Sequence, residues 1–166
     1  DNTAIGNSAL ESNTTASNNV AIGRVALNAN TTGTQNTAVG TNAADANTTA
    51  SNVTAVGYDA LTDNTTGASN AAFGSFSLEN NTTGGSNTAC GHNALAGNTT
   101  ASNNTAVGAG ALEVNTTGTA NTAVGTFALD ACTTGSSNTG LGYGTLSAQQ
   151  TAENNTAVGR NAGLSV

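Results

Sequence analysis

Apolar and polar positions recur along this chain with a period of 17 residues, without insertion or deletion. The marker is a glycine, found at Gly6, Gly23, Gly40, Gly57, Gly74, Gly91, Gly108, Gly125, Gly142 and Gly159. It closes a unit seen cleanly as Asn104-Thr105-Ala106-Val107-Gly108 and again as Asn121-Thr122-Ala123-Val124-Gly125. With this glycine numbered as position 6, the copies stack into columns. Position 5 holds Ile5, Ile22, Val39, Val56, Phe73, Cys90, Val107, Val124, Leu141 and Val158. Position 10 holds Leu10, Leu27, Ala44, Leu61, Leu78, Leu95, Leu112, Leu129 and Leu146, then Gly163. Position 4 is Ala in nine copies, with Gly140 in the other, and position 9 is mostly Ala. A fixed period with fixed apolar columns is the mark of a solenoid, whose units bury a narrow core against their neighbours.

The columns predict an all-β fold, a parallel β-solenoid (β-roll) of ten 17-residue coils in one domain spanning 1–166. Coils begin near residues 2, 19, 36, 53, 70, 87, 104, 121, 138 and 155. Positions 2–6 and 13–16 read as short strands and 9–10 as a brief apolar side. Helical repeats of two helices need about 33 residues, and Asn-Thr-Thr-Gly runs oppose helix. At about 4.8 Å per coil, the spacing of paired strands, the rod is about 43 Å long. The core is assigned to position 5 (Ile5, Ile22, Val39, Val56, Phe73, Cys90, Val107, Val124) together with Leu10, Leu27, Leu61, Leu95 and Leu112. Strand alternation also permits the opposite phase, with Ala inside and Val outside, which leaves an apolar stripe that must be covered. Both phases point to lateral association.

The repeated glycine is expected at a corner, with positive φ or no room for a Cβ. Asn13, Asn30, Asn47, Asn64, Asn81, Asn98 and Asn115 form one column, and Asn2, Asn19, Asn36 and Asn70 begin another. Both are read as amide ladders, each amide donating to the next coil's carbonyl, as in stacked cross-β assemblies. Charges and varied residues fall at three solvent-facing corners, positions 7–8, 11–12 and 17–1. Glu11, Asp45, Glu79 and Glu113 skip alternate coils, which keeps like charges apart; Asp130 breaks that rule.

Composition narrows the function. Only 7% of residues are charged and 3% aromatic, and there is no Pro, Trp, Met or Lys. Disorder is the alternative such polar, Gly-rich composition invites, but a disordered chain has no reason to hold a register. The net charge of −7, with Arg24 and Arg160 as the two cations, argues against nucleic acid and against anionic membranes. No apolar run approaches the roughly 20 residues of a membrane span. One carboxylate per coil is a poor site for a cation wanting about six to eight oxygens, and no metal or cofactor is expected. His92, the only histidine, has no catalytic partner at suitable spacing, so no enzymatic activity is expected. Cys90 and Cys132 lie more than two coils apart, beyond the roughly 7 Å reach of a disulfide. The Asn-Thr-Thr sequons fall on the ladder column, where an inward asparagine cannot carry a glycan.

The unit Asn-Thr-Ala-Val-Gly-x-x-Ala-Leu-x-x-Asn-Thr-Thr-Gly, through residues such as Thr37-Ala38-Val39-Gly40 and Ala60-Leu61, resembles the head repeat of trimeric autotransporter adhesins. It is similar also to the repeat of tail-fibre-like surface proteins that end in an intramolecular chaperone domain. The resemblance spans the whole chain. It implies a left-handed β-roll, three chains side by side, exposed on a cell or particle surface for adhesion or as a stiff spacer.

Two function classes follow. One is an extracellular structural or adhesive fibre segment that assembles with itself, as trimer or filament, with a surface receptor or glycan as further partner. The other is an ice-binding solenoid, whose candidate face is the column Thr14, Thr31, Thr48, Thr65, Thr82, Thr99, Thr116 and Thr133, beside a second column running from Thr15 to Thr151. Adjacent threonines on a strand point to opposite faces, which leaves one outward row per strand where an ice-ordering face wants two.

Overall fold

The computed structural model describes residues 1–164, so the last two residues of the expected domain lie outside the described residues. Ten three-residue strands run β1 (Thr3–Ile5), β2 (Val20–Ile22), β3 (Thr37–Val39), β4 (Thr54–Val56), β5 (Ala71–Phe73), β6 (Thr88–Cys90), β7 (Thr105–Val107), β8 (Thr122–Val124), β9 (Thr139–Leu141) and β10 (Thr156–Val158). They form one parallel sheet in chain order, with no helix among the described residues. Register is strict: Val39 pairs with Val56, and Val107 with Val124. Each 17-residue unit is one rung of a β-solenoid, and like residues lie over like.

Three corners bend each rung. Residues at positions 8, 10 and 1 adopt left-handed backbone, for example Asp59 (φ 52°), Leu61 (φ 55°) and Asn52 (φ 60°). For an L-residue this conformation costs roughly 1–2 kcal/mol. Burying a leucine side chain returns roughly 1.5–3 kcal/mol, which offsets the strain at position 10, where Leu61 and Leu112 are fully buried. The position-6 glycine has a different constraint. Gly108 has φ +132°, and a Cβ there would lie 2.6 Å from the carbonyl carbon and oxygen of Gly125 on the next coil. Only glycine lets the coils close to strand spacing at this corner.

The second expected strand, positions 13–16, does not form. Coil-to-coil bonding exists there, but the amides of Thr31 and Thr32 both reach the carbonyl of Thr48, at 2.9 and 3.3 Å. Two adjacent donors sharing one acceptor is not the alternating pattern of a parallel ladder.

The core differs from the assignment at position 5. The leucine column is interior as expected, at Leu10, Leu27, Leu61, Leu95 and Leu112. Position 5 turns outward. Ile5 is 59% exposed, Ile22, Phe73, Val107 and Val124 are exposed, Cys90 is exposed, and Val39 and Val56 are half-buried. The alanines at position 4 take the interior instead, with Ala38, Ala55, Ala72 and Ala106 at 0% exposure. The reason is space. At Gly140, the one alanine-free copy, an added Cβ would already touch the Leu129 side chain at 3.4 Å. The interior opposite the leucine column has room for a methyl group and nothing larger.

This geometry sets an asymmetry between two neighbouring residues. Ala106→Val is expected to lower stability by about 1–3 kcal/mol through overpacking, whereas Val107→Thr changes it by less than about 0.5 kcal/mol, as at an exposed site. Denaturant unfolding of the two variants reads the difference directly, and equal effects would place the core on the wrong side of the strand.

Candidate functional site

Among the described residues there is no cavity, and no cluster of His, Cys, Asp and Glu could hold a metal ion. What the rod offers is a set of parallel rows, and its surface is best understood from the interior outward.

Both asparagine columns are ladders. Along position 13, Asn47, Asn64, Asn81, Asn98 and Asn115 each donate Nδ2 to Oδ1 of the asparagine one coil earlier, at 2.7–3.0 Å. The second Nδ2 hydrogen of each goes to a carbonyl three residues ahead in its own coil, such as Asn81 to Gly84 at 3.0 Å. Donation to the next coil's carbonyl, expected for both columns, holds only at position 2. There Asn19 donates to Gly33 O at 2.9 Å, and its Oδ1 accepts from the Asn36 backbone amide at 2.9 Å. Through the middle of the rod these amides are buried and bonded, so the ladders fix coil to coil; at the two ends of the position-13 ladder, Asn13 Oδ1 and Asn115 Oδ1 have no partner. Ladder Asn30, Asn47, Asn64, Asn81, Asn98 and Asn115 are wholly buried, which closes those sequons to modification in the folded chain. Asn52, Asn80, Asn103 and Asn154 are exposed and also begin Asn-x-Thr triplets, a feature that a search confined to Asn-Thr-Thr misses.

The ladder breaks where the repeat does. Cys132 replaces an asparagine, and its buried thiol reaches only the Gly135 carbonyl, at 3.5 Å. Asn115 Oδ1 is therefore left without a donor. Both cysteines are free, and burial pushes the Cys132 thiol up from its ordinary pKa.

The candidate threonine face also needs correction. Thr14, Thr31, Thr48, Thr65, Thr82, Thr99, Thr116 and Thr133 do not present hydroxyls outward. Each donates Oγ1 to the backbone carbonyl one coil later, at 3.0–3.2 Å. All but Thr14 and Thr133 have this bond at least partly buried. The neighbouring column from Thr15 to Thr151 is the exposed one. Position 16, always Ala or Gly, turns inward, so position 17 shares the outward side with position 15.

Across the position-1 corner, the outer face of the sheet carries two rows, mostly Thr at position 3 and the mostly aliphatic row at position 5. Neither row contains a charge. Beside it, corner positions 7 and 8 hold two edge-to-face aromatic stacks. Tyr58, Phe76 and His92 are linked by centroid distances of 5.4 and 5.8 Å. Phe127 and Tyr143 lie 6.2 Å apart, with the Arg160 guanidinium 5.5 Å over Tyr143.

The acidic corner carries its own strain. Burial, then the charges of Asp59 and Asp63, hold the Asp45 carboxyl above its ordinary pKa. The same causes raise Glu79, and Asp130 is raised chiefly by burial, with Glu113 adding to it. Asp130 Oδ1 is buried without a partner. Elsewhere amides relieve the charge: Asn28 donates to Glu11, Asn42 to Asp59 and Asn93 to Glu113.

Two outcomes follow. Cys132→Asn supplies the donor that Asn115 lacks and is expected to raise stability by about 1–2 kcal/mol, read as an upward shift in the unfolding midpoint; a loss of stability would mean the ladder does not extend into this coil. For the carboxyls, a raised folded-state pKa means the folded chain holds the proton more tightly than the unfolded chain. Stability is therefore gained as pH falls through the window between the raised and ordinary values, and lost as pH rises through it. The melting midpoint should climb on acidification from neutrality into the carboxylate range, and Asp45→Asn should raise the neutral midpoint and flatten that slope.

Compared with protein-family models, with curated proteins and with solved structures, the chain matches none of them.

Proposed function

We propose that this chain is a structural or adhesive segment of an extracellular fibre, displayed on a cell or particle surface and assembled from copies of itself through the outer face of the sheet. The observation that carries this reading is the apolar row at position 5, mostly aliphatic with Phe73 and Cys90, which lies on the outer face of the sheet and is half-buried only at Val39, Val56 and Leu141. It runs the length of a rod about 43 Å long at strand spacing. Scattered exposed apolar residues need no explanation, but a continuous apolar stripe marks a binding surface.

A second copy is the partner that fits. The row repeats at the coil spacing, and another copy presents the same row at the same spacing, so aliphatic side chains meet along the whole contact. The face has no charge to desolvate, which removes the largest penalty for burying it. Homo-oligomers with closed symmetry are the common solution to such a self-complementary patch. The resemblance to adhesin heads suggests three chains around an axis. A stiff rod with an uncharged sheet face, and with no pocket or metal cluster among the described residues, suits a spacer or display element.

Sedimentation and light scattering on the wild-type chain are expected to give an oligomer. Val107→Asp with Val124→Asp, both at exposed positions, should yield a monomer whose circular dichroism is unchanged. Cys90 lies in the row, so mild oxidation should give a Cys90–Cys90 crosslink if the copies run parallel and in register. A wild-type chain that stays monomeric at every accessible concentration overturns the reading.

A further inference from the structure

We propose that the side of the rod formed by positions 15 and 17 binds the surface of ice, independently of self-assembly on the sheet face. The file from Thr15 to Thr151 consists of nine threonines, one per coil, every one exposed. Their hydroxyls are free for an external ligand, because the bonding to the next coil is done by the neighbouring column, as in Thr82 to the Thr99 carbonyl. Between the two outward rows lies position 16, where Ala50, Ala101 and the glycines are buried. The side thus reads out–in–out across each coil, as in Thr49-Ala50-Ser51 and Thr117-Gly118-Thr119.

Position 17 adds a second, partly engaged row. Ser51, Ser102 and Ser136 each accept a backbone N–H from the preceding coil at 3.0 Å. That bond fixes each oxygen, and Ser51 Oγ also lies 3.4 Å from Thr34 Oγ1. Position 17 thus supplies a second, interrupted row beside the continuous one at position 15, with hydroxyls at Ser17, Thr34, Ser51, Ser102, Thr119 and Ser136 and none at Ala68 or Gly85.

The repetition itself selects the partner. Identical hydroxyls about 4.8 Å apart can all be matched only by a ligand that repeats at nearly the same interval, and the oxygen rows of hexagonal ice do so. Threonine offers one hydroxyl to hold a lattice water and one methyl to exclude a disordered one. The rows need no ordering on binding, since the two buried asparagine ladders hold the coils in register (Asn81 to Asn64, for instance, at 2.8 Å), and a pre-ordered surface keeps the entropy cost of binding low. No charge interrupts this side before Glu153 apart from Asp1 at the first corner. A protein partner would want aromatic or arginine anchors, and a sugar would want an aromatic platform. Both kinds of residue lie at the Tyr58 and Tyr143 corner instead.

The experiment uses the full chain in nanolitre osmometry and in partition into slowly grown ice. Wild type is expected to arrest and facet ice crystals below the melting point and to concentrate in the ice. Thr83→Tyr with Thr100→Tyr, placed mid-file, should lose both effects to the level of a non-binding protein while keeping the wild-type melting curve. Thr83→Ser with Thr100→Ser, which retains the hydroxyls and removes the methyls, should lose part of the activity. Val107→Asp with Val124→Asp should keep it whether or not copies associate, which separates this proposal from the fibre reading. The proposal is overturned if wild type neither shapes nor enters ice, if the tyrosine pair stays active, or if activity falls only with the Val107 and Val124 changes.

Discussion

Everything in this molecule depends on one coil sitting directly on the next at strand spacing. The position-6 glycines set the limit of approach, because a methyl group on Gly108 would occupy the place of the Gly125 carbonyl. The asparagine ladders hold the coils there. Along position 13, from Asn47 to Asn115 each amide uses both hydrogens, and from Asn30 to Asn98 each oxygen accepts one, so repetition itself satisfies this stretch of the polar interior. A single break propagates one coil, as the Cys132 substitution does by orphaning Asn115 Oδ1. Stability in such a structure is close to a sum over neighbouring units.

The same constraint explains the composition. Coils about 4.8 Å apart enclose a cross-section that takes one leucine, two alanines and two asparagines, and no aromatic residue. Large side chains are therefore displaced outward, Phe73 to the outer face of the sheet and the others to the corners, where Tyr58 stacks edge to face on Phe76 and Phe127 on Tyr143. Carboxylates are displaced too, and at Asp45 burial, with the charges of Asp59 and Asp63 beside it, opposes ionisation.

Because the interior is so narrow, the surface rows inherit its regularity. One side becomes a mostly aliphatic stripe and another a hydroxyl array, each repeating at the coil interval. The partners proposed for them are themselves periodic: another copy of the rod for the first, a crystal lattice for the second. Neither surface depends on a concave site, and the two can act on one molecule without interfering.

The period, the parallel all-β architecture, the glycine corner and the Asn ladders were legible in the sequence, since each follows from identical residues recurring at one interval. The side on which a residue lies was not. Thr-Ala-Val alternates equally well in either phase, and hydrophobicity alone favoured valine inside. The tertiary structure decided otherwise because left-handed corners at positions 8, 10 and 1 bring the leucine column against position 4, where Leu129 leaves space for a methyl group only. Likewise Thr14 and Thr15 are indistinguishable as sequence, and only the folded backbone, which bends at these two residues, turns the Thr14 hydroxyl to the next coil's carbonyl and leaves Thr15 exposed. Repetition along the chain determines what stacks; closure of the coil in three dimensions determines what faces in.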